Sequence, residues 1–354
     1  MPTARRIHRV GANLLLSAAA VVLLLLALEI VARIVFPDPK PSAGLAPLSL
    51  ADLSRPNLSG SFLSLPYRTN TESFRGPDYP PLPGEGVFRI AVTGDSLTMG
   101  WGVAEQHAYP AVLETLLNTS GDGRRYEVQN LGLAGINAHE AMERLERAIR
   151  AYSPQLLVYG FTINDILGEF YKWVKPGAQL KLMARVERWK QTPSRLLWLV
   201  GPRWEWFKEG FRSNSFEYEA EVLHNYMENP RAWKQFTEAL DELSRQARER
   251  NVCALVFIHT ALTELGPQHP YLPVYDKVMA ASRARGLSAS SSFDVFEGRD
   301  PSDFQLIFRT YRDSHPNVAG HRALAESLRD AVGRLPEHCF TDPRAGKQPM
   351  RLDP

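Results

Sequence analysis

Apolar and polar positions divide this chain into three regimes. The first is a run of nineteen residues without a charge, "VGANLLLSAAAVVLLLLAL" (10–28), set behind Arg5, Arg6 and Arg9. It approaches the roughly 20 apolar residues that cross a bilayer as a helix. Basic residues before the run, with none clustered just after it, predict a cytoplasmic basic tail (1–9) and an extracytoplasmic body. A cleaved signal peptide and a buried soluble helix are the rival readings. Glu29 and Arg33 stand where a small-residue cleavage site would be, so we expect an uncleaved transmembrane anchor over residues 10–36.

The second regime, residues 37–86, holds ten of the 26 prolines with several Ser and Gly. Such a segment cannot form long helices and reads as a stalk or lead-in that later wraps onto a domain. From residue 88 a third regime alternates strand and helix patterns. "FRIAVTG" (88–94) reads as a buried strand, and "YPAVLETLL" (109–117) as a helix with Pro110 in its first turn. "YEVQNLGLAG" (126–135) is a strand ending in glycines, and "AHEAMERLERAIRAY" (138–152) puts Ala141, Leu145 and Ile149 on one helical face. "QLLVYGFT" (155–162) is a third strand.

The rhythm then breaks: residues 166–230 show no clean strand, and five of the seven tryptophans lie between Trp173 and Trp206. This insertion has three readings: a lid, a membrane-facing belt in which Trp173, Trp189, Trp198 and Trp204 mix with Lys172, Lys175, Lys181, Arg185 and Lys190, or its own small core. After it come a helix (231–250), a strand (252–260), a helix (274–286), a weak strand near 288–296 and a closing helix (317–335). Strands separated by helices predict an α/β fold with a mostly parallel five-stranded sheet covered on both faces. That domain is expected over 87–338, followed by a tail over 339–354.

Composition narrows the function classes. The 354 residues are 44% apolar, with 41 basic and 39 acidic side chains and a formal net charge of +2. That balance gives no global electrostatic case for a nucleic-acid partner, and no recognition motif supports one. Cys253 and Cys339 are too few for a zinc cluster. Outside the cytoplasm a disulfide between them is permitted, since both fall at the amino-terminal edge of the sheet; a simply buried Cys253 is the alternative.

In open parallel sheets function collects beyond the carboxyl ends of the strands. There the sequence places Gly94, Asp95, Ser96 and Leu97 after the first strand, and Gly132, Gly135 and Asn137 after the second. Asn164 and Asp165 follow the third, and Asp313 and His315 precede the last helix. A serine becomes a useful nucleophile when a histidine takes its proton and a carboxylate orients that histidine. The Ser96 and Gly135 backbone N–H groups and the Asn164 amide are candidate oxyanion donors. Asp95 reads as a turn stabiliser, and His259 as a structural histidine with substrate contact as its alternative. His139 and His321 read as packing or solvent-facing.

"GDSLTMGWGV", "NLGLAGIN", "GFTIND" and "DSHPNVAGH" resemble, in order, the four blocks of the SGNH (GDSL-type) hydrolases. The upstream "YRTNTESFRGPDYP" is similar to the lead-in of extracytoplasmic members linked to polysaccharide modification. The resemblance covers roughly residues 66–335 and implies a flavodoxin-like three-layer sandwich. It also implies Ser96 as nucleophile, His315 as base, and Gly135 and Asn164 as oxyanion donors, with no cofactor and no metal. The family's acid position, three residues before the histidine, is Arg312 here. Asp313 is the expected substitute; Asp300, Asp303 and a Ser–His dyad are the alternatives. The implied activity is a serine esterase removing acyl groups, O-acetyl foremost, from an envelope or exported polysaccharide, periplasmic in a Gram-negative cell. An O-acyltransferase, a lipid esterase or thioesterase, and an inactive binding protein on the same fold are the alternatives. The expected partners are the acylated carbohydrate or lipid substrate and the membrane.

Overall fold

A computed structural model describes residues 2–35, 44–121, 123–166, 193–197, 199–201, 204, 215–308 and 311–341. Residues 2–12, 14, 215–218, 307–308 and 311–314 are described by their backbone alone. The chain divides into two compact units. One is Met1–Lys40 with Phe170–Glu219, and the other is Pro41–Glu169 with Ala220–Pro354. In the first unit, helix α1 (Pro2–Val35) carries the long apolar run, and its Leu15–Val35 portion is long and apolar enough to cross a membrane.

The second unit begins with a short antiparallel hairpin, β1 (Ser59–Phe62) and β2 (Leu65–Arg68). Then follow β3 (Val87–Gly94), α2 (Ser96–Met99), α3 (Tyr109–Asn118), β4 (Arg125–Asn130), α4 (Ala138–Tyr152) and β5 (Leu156–Phe161). Beyond the insertion come α5 (Ser215–Met227), α6 (Pro230–Arg250), β6 (Cys253–Ile258), α7 (Leu272–Arg283), β7 (Ser288–Ser291) and α8 (Phe293–Phe296). The antiparallel pair β8 (Gln305–Phe308) and β9 (Tyr311–Pro316) leads into α9 (Val318–Gly333). The five main strands lie in the order β4-β3-β5-β6-β7, all parallel. That is the flavodoxin-like order, whose topological switch point falls where β3 has β4 on one side and β5 on the other.

Several helices start where a side chain satisfies their first N–H groups. Asn137 accepts from His139 and Glu140 while Glu140 reaches back to the Asn137 N–H, a reciprocal cap that starts α4. Asn229 caps α6 by accepting from the Arg231 and Ala232 N–H groups, and Asn317 caps α9 by accepting from that of Gly320. The alternation from 88 onward matches the five expected strands of the main sheet, and two of them end earlier than the sequence suggests. The weak fifth strand ends at Ser291, because Phe293 and Phe296 are buried three residues apart, a helical spacing that forms α8. The second strand ends at Asn130, whose side-chain oxygen accepts from the Gly132 N–H and turns the chain.

From residue 44 onward the lead-in folds against the sheet domain. Three buried arginines hold it there. Arg89, fully buried in β3, donates to the Pro80 and Tyr152 carbonyls and pairs with Glu127 at 2.7 Å. Arg144 of α4 donates to Leu131 O and Ser73 O, and burial pulls its pKa down to about 10. Arg75 of the lead-in donates to the carbonyls of Met99, Gly100 and Val103 at 2.7–2.8 Å. Each guanidinium satisfies carbonyls that an irregular segment would otherwise leave unpaired in a dry seam.

Cys253, at the start of β6, and Cys339, in the turn after α9, form a disulfide 86 residues apart in sequence. Closing so long a loop restricts the unfolded chain, and its loss is expected to cost about 2–5 kcal/mol. Denaturation of the oxidised and reduced protein should separate by that amount, with free-thiol titration as the control.

His321 of α9 is wholly buried and stacks on Tyr109, with ring centroids 6.3 Å apart. Burial lowers its pKa to about 3. The fold holds the imidazole neutral, whereas the unfolded chain takes up the proton below about pH 6.5. Stability from this group is therefore whole above pH 6.5 and declines as pH falls toward 3. The stability advantage over His321→Leu is expected to shrink by about 1.4 kcal/mol per pH unit across that window. Parallel stability–pH curves for the two proteins would refute it.

Candidate active site

The nucleophile candidate stands where β3 ends. Asp95, beneath the first turn of α2, accepts from the Leu97 N–H at 2.9 Å and starts the short helix that carries Ser96. The Ser96 Oγ lies 2.8 Å from His315 Nε2, a residue 219 positions later on the β9 end. A hydroxyl in hydrogen-bond contact with an imidazole nitrogen is the arrangement that proton transfer from a serine requires. The antiparallel β8–β9 pair, unforeseen in the sequence, delivers His315 to that point.

Gly135 is exposed in the loop after β4, with φ of +80°. A Cβ built there would meet nothing within 4 Å. The glycine is thus required by its left-handed backbone rather than by crowding. Asn164 lies in the turn after β5, where its Nδ2 donates to Asp95 Oδ2 at 3.2 Å. The carboxylate fixes which way the amide faces, since a flipped amide would set oxygen against oxygen. One Nδ2 hydrogen is spent on Asp95, and the second remains for another acceptor.

Asp95 also accepts from Thr162 Oγ1 at 3.1 Å, and burial raises its pKa. Neighbouring Asp165 accepts from the Tyr159 hydroxyl and the Thr162 N–H. Burial pushes its carboxyl well up, and the Asp95 charge adds to this. Asp165 therefore belongs to the floor of the site. His259 is buried against Tyr109, and burial lowers its pKa to about 3, so its imidazole is neutral. Asn137 is the α4 cap, and His139 is exposed with its Nε2 against Gln235 O at 2.8 Å.

Among the alternative acids, Asp300 accepts from the Ser302 N–H in a local turn, and Asp303 is exposed. Asp313 sits in β9 opposite Leu306, with its side chain outside the described residues. The tryptophan-rich stretch with Trp173, Trp189 and Trp198 and its lysines also falls outside them.

One participant escaped the sequence reading. The Trp101 indole stacks on the His315 imidazole, with centroids 5.2 Å apart and planes at 22°. Phe62 of the lead-in hairpin meets Trp101 in an edge contact, with centroids 5.2 Å apart. The signal was a single large aromatic between Gly100 and Gly102, directly after the serine turn.

A hydroxyl–imidazole pair thus stands at the carboxyl rim of a parallel sheet, with the Asn164 amide held by Asp95, the residue before the serine. The sequence profile of the GDSL-like Lipase/Acylhydrolase family matches residues 92–323, about two thirds of the chain, and the protein belongs to that family. It is accordingly a carboxylic ester hydrolase by class. No curated protein matches the sequence. Among solved structures it is similar in outline to TesA, with 15% identity, TM-score 0.41, and 69% of this chain and 97% of that one covered. It is also similar to the acetylxylan esterase Axe2 from Geobacillus stearothermophilus, at 16% identity and TM-score 0.43, covering 72% and 97%. For the acetyl xylan esterase AlAXEase the values are 13% and 0.43, covering 69% and 100%.

Removing the indole that braces the imidazole should lower turnover more than substrate binding. Trp101→Leu is expected to reduce kcat on 4-nitrophenyl acetate by about tenfold with KM within about twofold, roughly the loss of 1.4 kcal/mol in the transition state. Trp101→Phe should restore most of it, and equal losses in both variants would deny the stack an orienting role.

Proposed function

We propose that the protein is a serine esterase working through an acyl-enzyme on Ser96. The observation that carries this reading is the 2.8 Å contact between Ser96 Oγ and His315 Nε2. On it, the Ser96 oxygen attacks the ester carbonyl carbon as His315 Nε2 takes the hydroxyl proton. The tetrahedral oxyanion accepts hydrogen bonds from the Ser96 and Gly135 N–H groups and from the second Nδ2 hydrogen of Asn164. Collapse breaks the bond to the leaving alcohol, which receives the proton from His315. Water then attacks the acyl-Ser96 ester by the same steps in reverse roles. Asp313, two residues before His315, is the proposed acid that orients the imidazole.

The substrate we infer is an ester-linked acyl group, O-acetyl foremost, on an envelope or exported polysaccharide. Support comes from the likeness of the lead-in to that of polysaccharide-modifying members and from an N-terminal run long enough to anchor the body outside the cytoplasm. The Cys253–Cys339 bond, suited to an oxidising compartment, points the same way.

The test is turnover of 4-nitrophenyl acetate by the wild type beside Ser96→Ala and His315→Ala. Both variants are expected to lose at least about 10³-fold in kcat, the usual consequence of removing a nucleophile or its base. Fluorophosphonate should label the wild type and not Ser96→Ala. An acyl-chain series should favour acetyl; cleavage confined to long chains would overturn the polysaccharide reading and leave the serine mechanism standing.

A further inference from the structure

The unit that contains α1 holds an interaction of its own. Glu29 follows the last residue of the apolar run, and its carboxylate is occupied by residues 165–167 positions later. It accepts from Ser194 Oγ at 2.8 Å, from the Arg195 N–H at 2.7 Å and from the Leu196 N–H at 2.8 Å. Arg33, one turn on, pairs with Glu29 and donates to Pro193 O at 2.7 Å. Ala32, on the same helical face as Glu29 and Arg33, is buried. A carboxylate on the N–H groups of a helix start satisfies donors that otherwise lack partners, and it does so for a charge set at the edge of an apolar run.

The helical residues that follow present an inverted pattern. Leu197, Val200 and Trp204 are spaced i, i+3, i+7, so they share one face. Their exposures are 46%, 50% and 53%, while Arg195 on another face is 5% exposed. An apolar stripe turned outward, beside a polar residue turned inward, is the reverse of a helix built for water.

Position supplies the occupant. Nineteen residues at about 1.5 Å each give about 28 Å, close to the thickness of a bilayer core. If α1 crosses with residues 10–28 in that core, Glu29 stands at the outer boundary between hydrocarbon and headgroups. Whatever Glu29 holds is held at that depth. We propose that residues 193–197, 199–201 and 204 belong to an interfacial element, pinned by Glu29 and Arg33 to the outer end of the anchor. Its Leu197, Val200 and Trp204 face enters the headgroup and upper acyl region of the same bilayer. Tryptophan and aliphatic side chains on one face, with polar groups on the other, are the chemistry that such a surface takes up. The inference rests on the proposed crossing by α1 and is independent of the esterase mechanism.

The test uses the full chain in phosphatidylcholine–phosphatidylglycerol vesicles. Both native cysteines are bonded to one another, so a single engineered thiol takes a polarity-sensitive fluorophore. Val22→Cys reports the anchor, and Leu197→Cys and Val200→Cys report the stripe. Quenching by doxyl-labelled lipid is expected at all three, within about threefold of one another, with weak quenching by aqueous acrylamide. Adding Glu29→Ala should lower lipid quenching at 197 and 200 at least threefold and leave Val22→Cys unchanged. Lipid quenching at Val22→Cys, with acrylamide quenching at 197 and 200, would place the stripe in water. Shielding of 197 and 200 from both quenchers would place it against protein. Either result overturns the interfacial element, whereas absence of lipid quenching at Val22→Cys overturns the anchor beneath it.

Discussion

The site depends on one close approach that admits no Cβ atoms. The turn of α2 lies directly on the ends of three neighbouring strands, and each presents a glycine to it. A Cβ on Gly94 would fall 2.3 Å from Thr98 Oγ1 and 2.6 Å from Gly160 O. One on Gly132 would fall 2.1 Å from Met99 N, and one on Gly160 2.7 Å from Thr98 Oγ1 and 2.6 Å from His259 Cε1. Real side chains do not approach so closely, so all three contacts require glycine. Thr98 in turn meets the Tyr109 hydroxyl at 2.9 Å, and Tyr109 packs against His259 and His321. The close seating of the α2 turn that carries Ser96 on these strand ends follows from this packing.

A second constraint acts from the side. The family profile begins at residue 92, yet the residues before it reach the reacting pair. Phe62 and Tyr67 cluster with Met99 and Trp101, and Arg75 holds the carbonyls of the Met99–Val103 turn. The path from hairpin to imidazole is two ring contacts long, Phe62 to Trp101 and Trp101 to His315. The lead-in therefore packs against the candidate site, and its prolines mark an irregular course that buried arginines complete with hydrogen bonds.

Much of this was legible in the residues, for physical reasons that also mark the limit. Helix α4 runs from Ala138 to Tyr152 as its periodicity required, because an apolar stripe and a reciprocal Asn137–Glu140 cap agree. The fifth strand was half seen: β7 is short and polar, "SASS", and only its pairing with β6 makes it a strand. The β1–β2 hairpin gave no turn signal, since its left-handed positions are Leu63 and Ser64 rather than the glycine or asparagine such turns favour. Gly135 was legible as a candidate only through its place after the second strand and the motif that carries it, and its left-handed backbone is what the structure adds. Trp101 was invisible as a partner of His315 because nothing in sequence spacing joins residues 214 apart.

The floor of the site poses an electrostatic problem that its hydrogen bonds answer. Asp95 is a buried carboxylate below the place where, on the proposed mechanism, an oxyanion develops, and two like charges there would repel. Its pKa is raised by burial, yet the Leu97 N–H, Asn164 and Thr162 donate to it and His315 attracts its charge. The Asn164 amide gives one Nδ2 hydrogen to Asp95, and on the proposed mechanism the other serves the oxyanion. On that mechanism the carboxylate that disfavours the oxyanion at a distance would also orient its Asn164 donor and favour the imidazolium formed when Ser96 loses its proton. At contact range a hydrogen bond to a charged group is worth about 1.5–3 kcal/mol, whereas the repulsion is spread over a longer path and shared with the imidazolium. On the proposed mechanism this orienting role gives a physical reason for an acid, and not merely a small turn former, beside the serine.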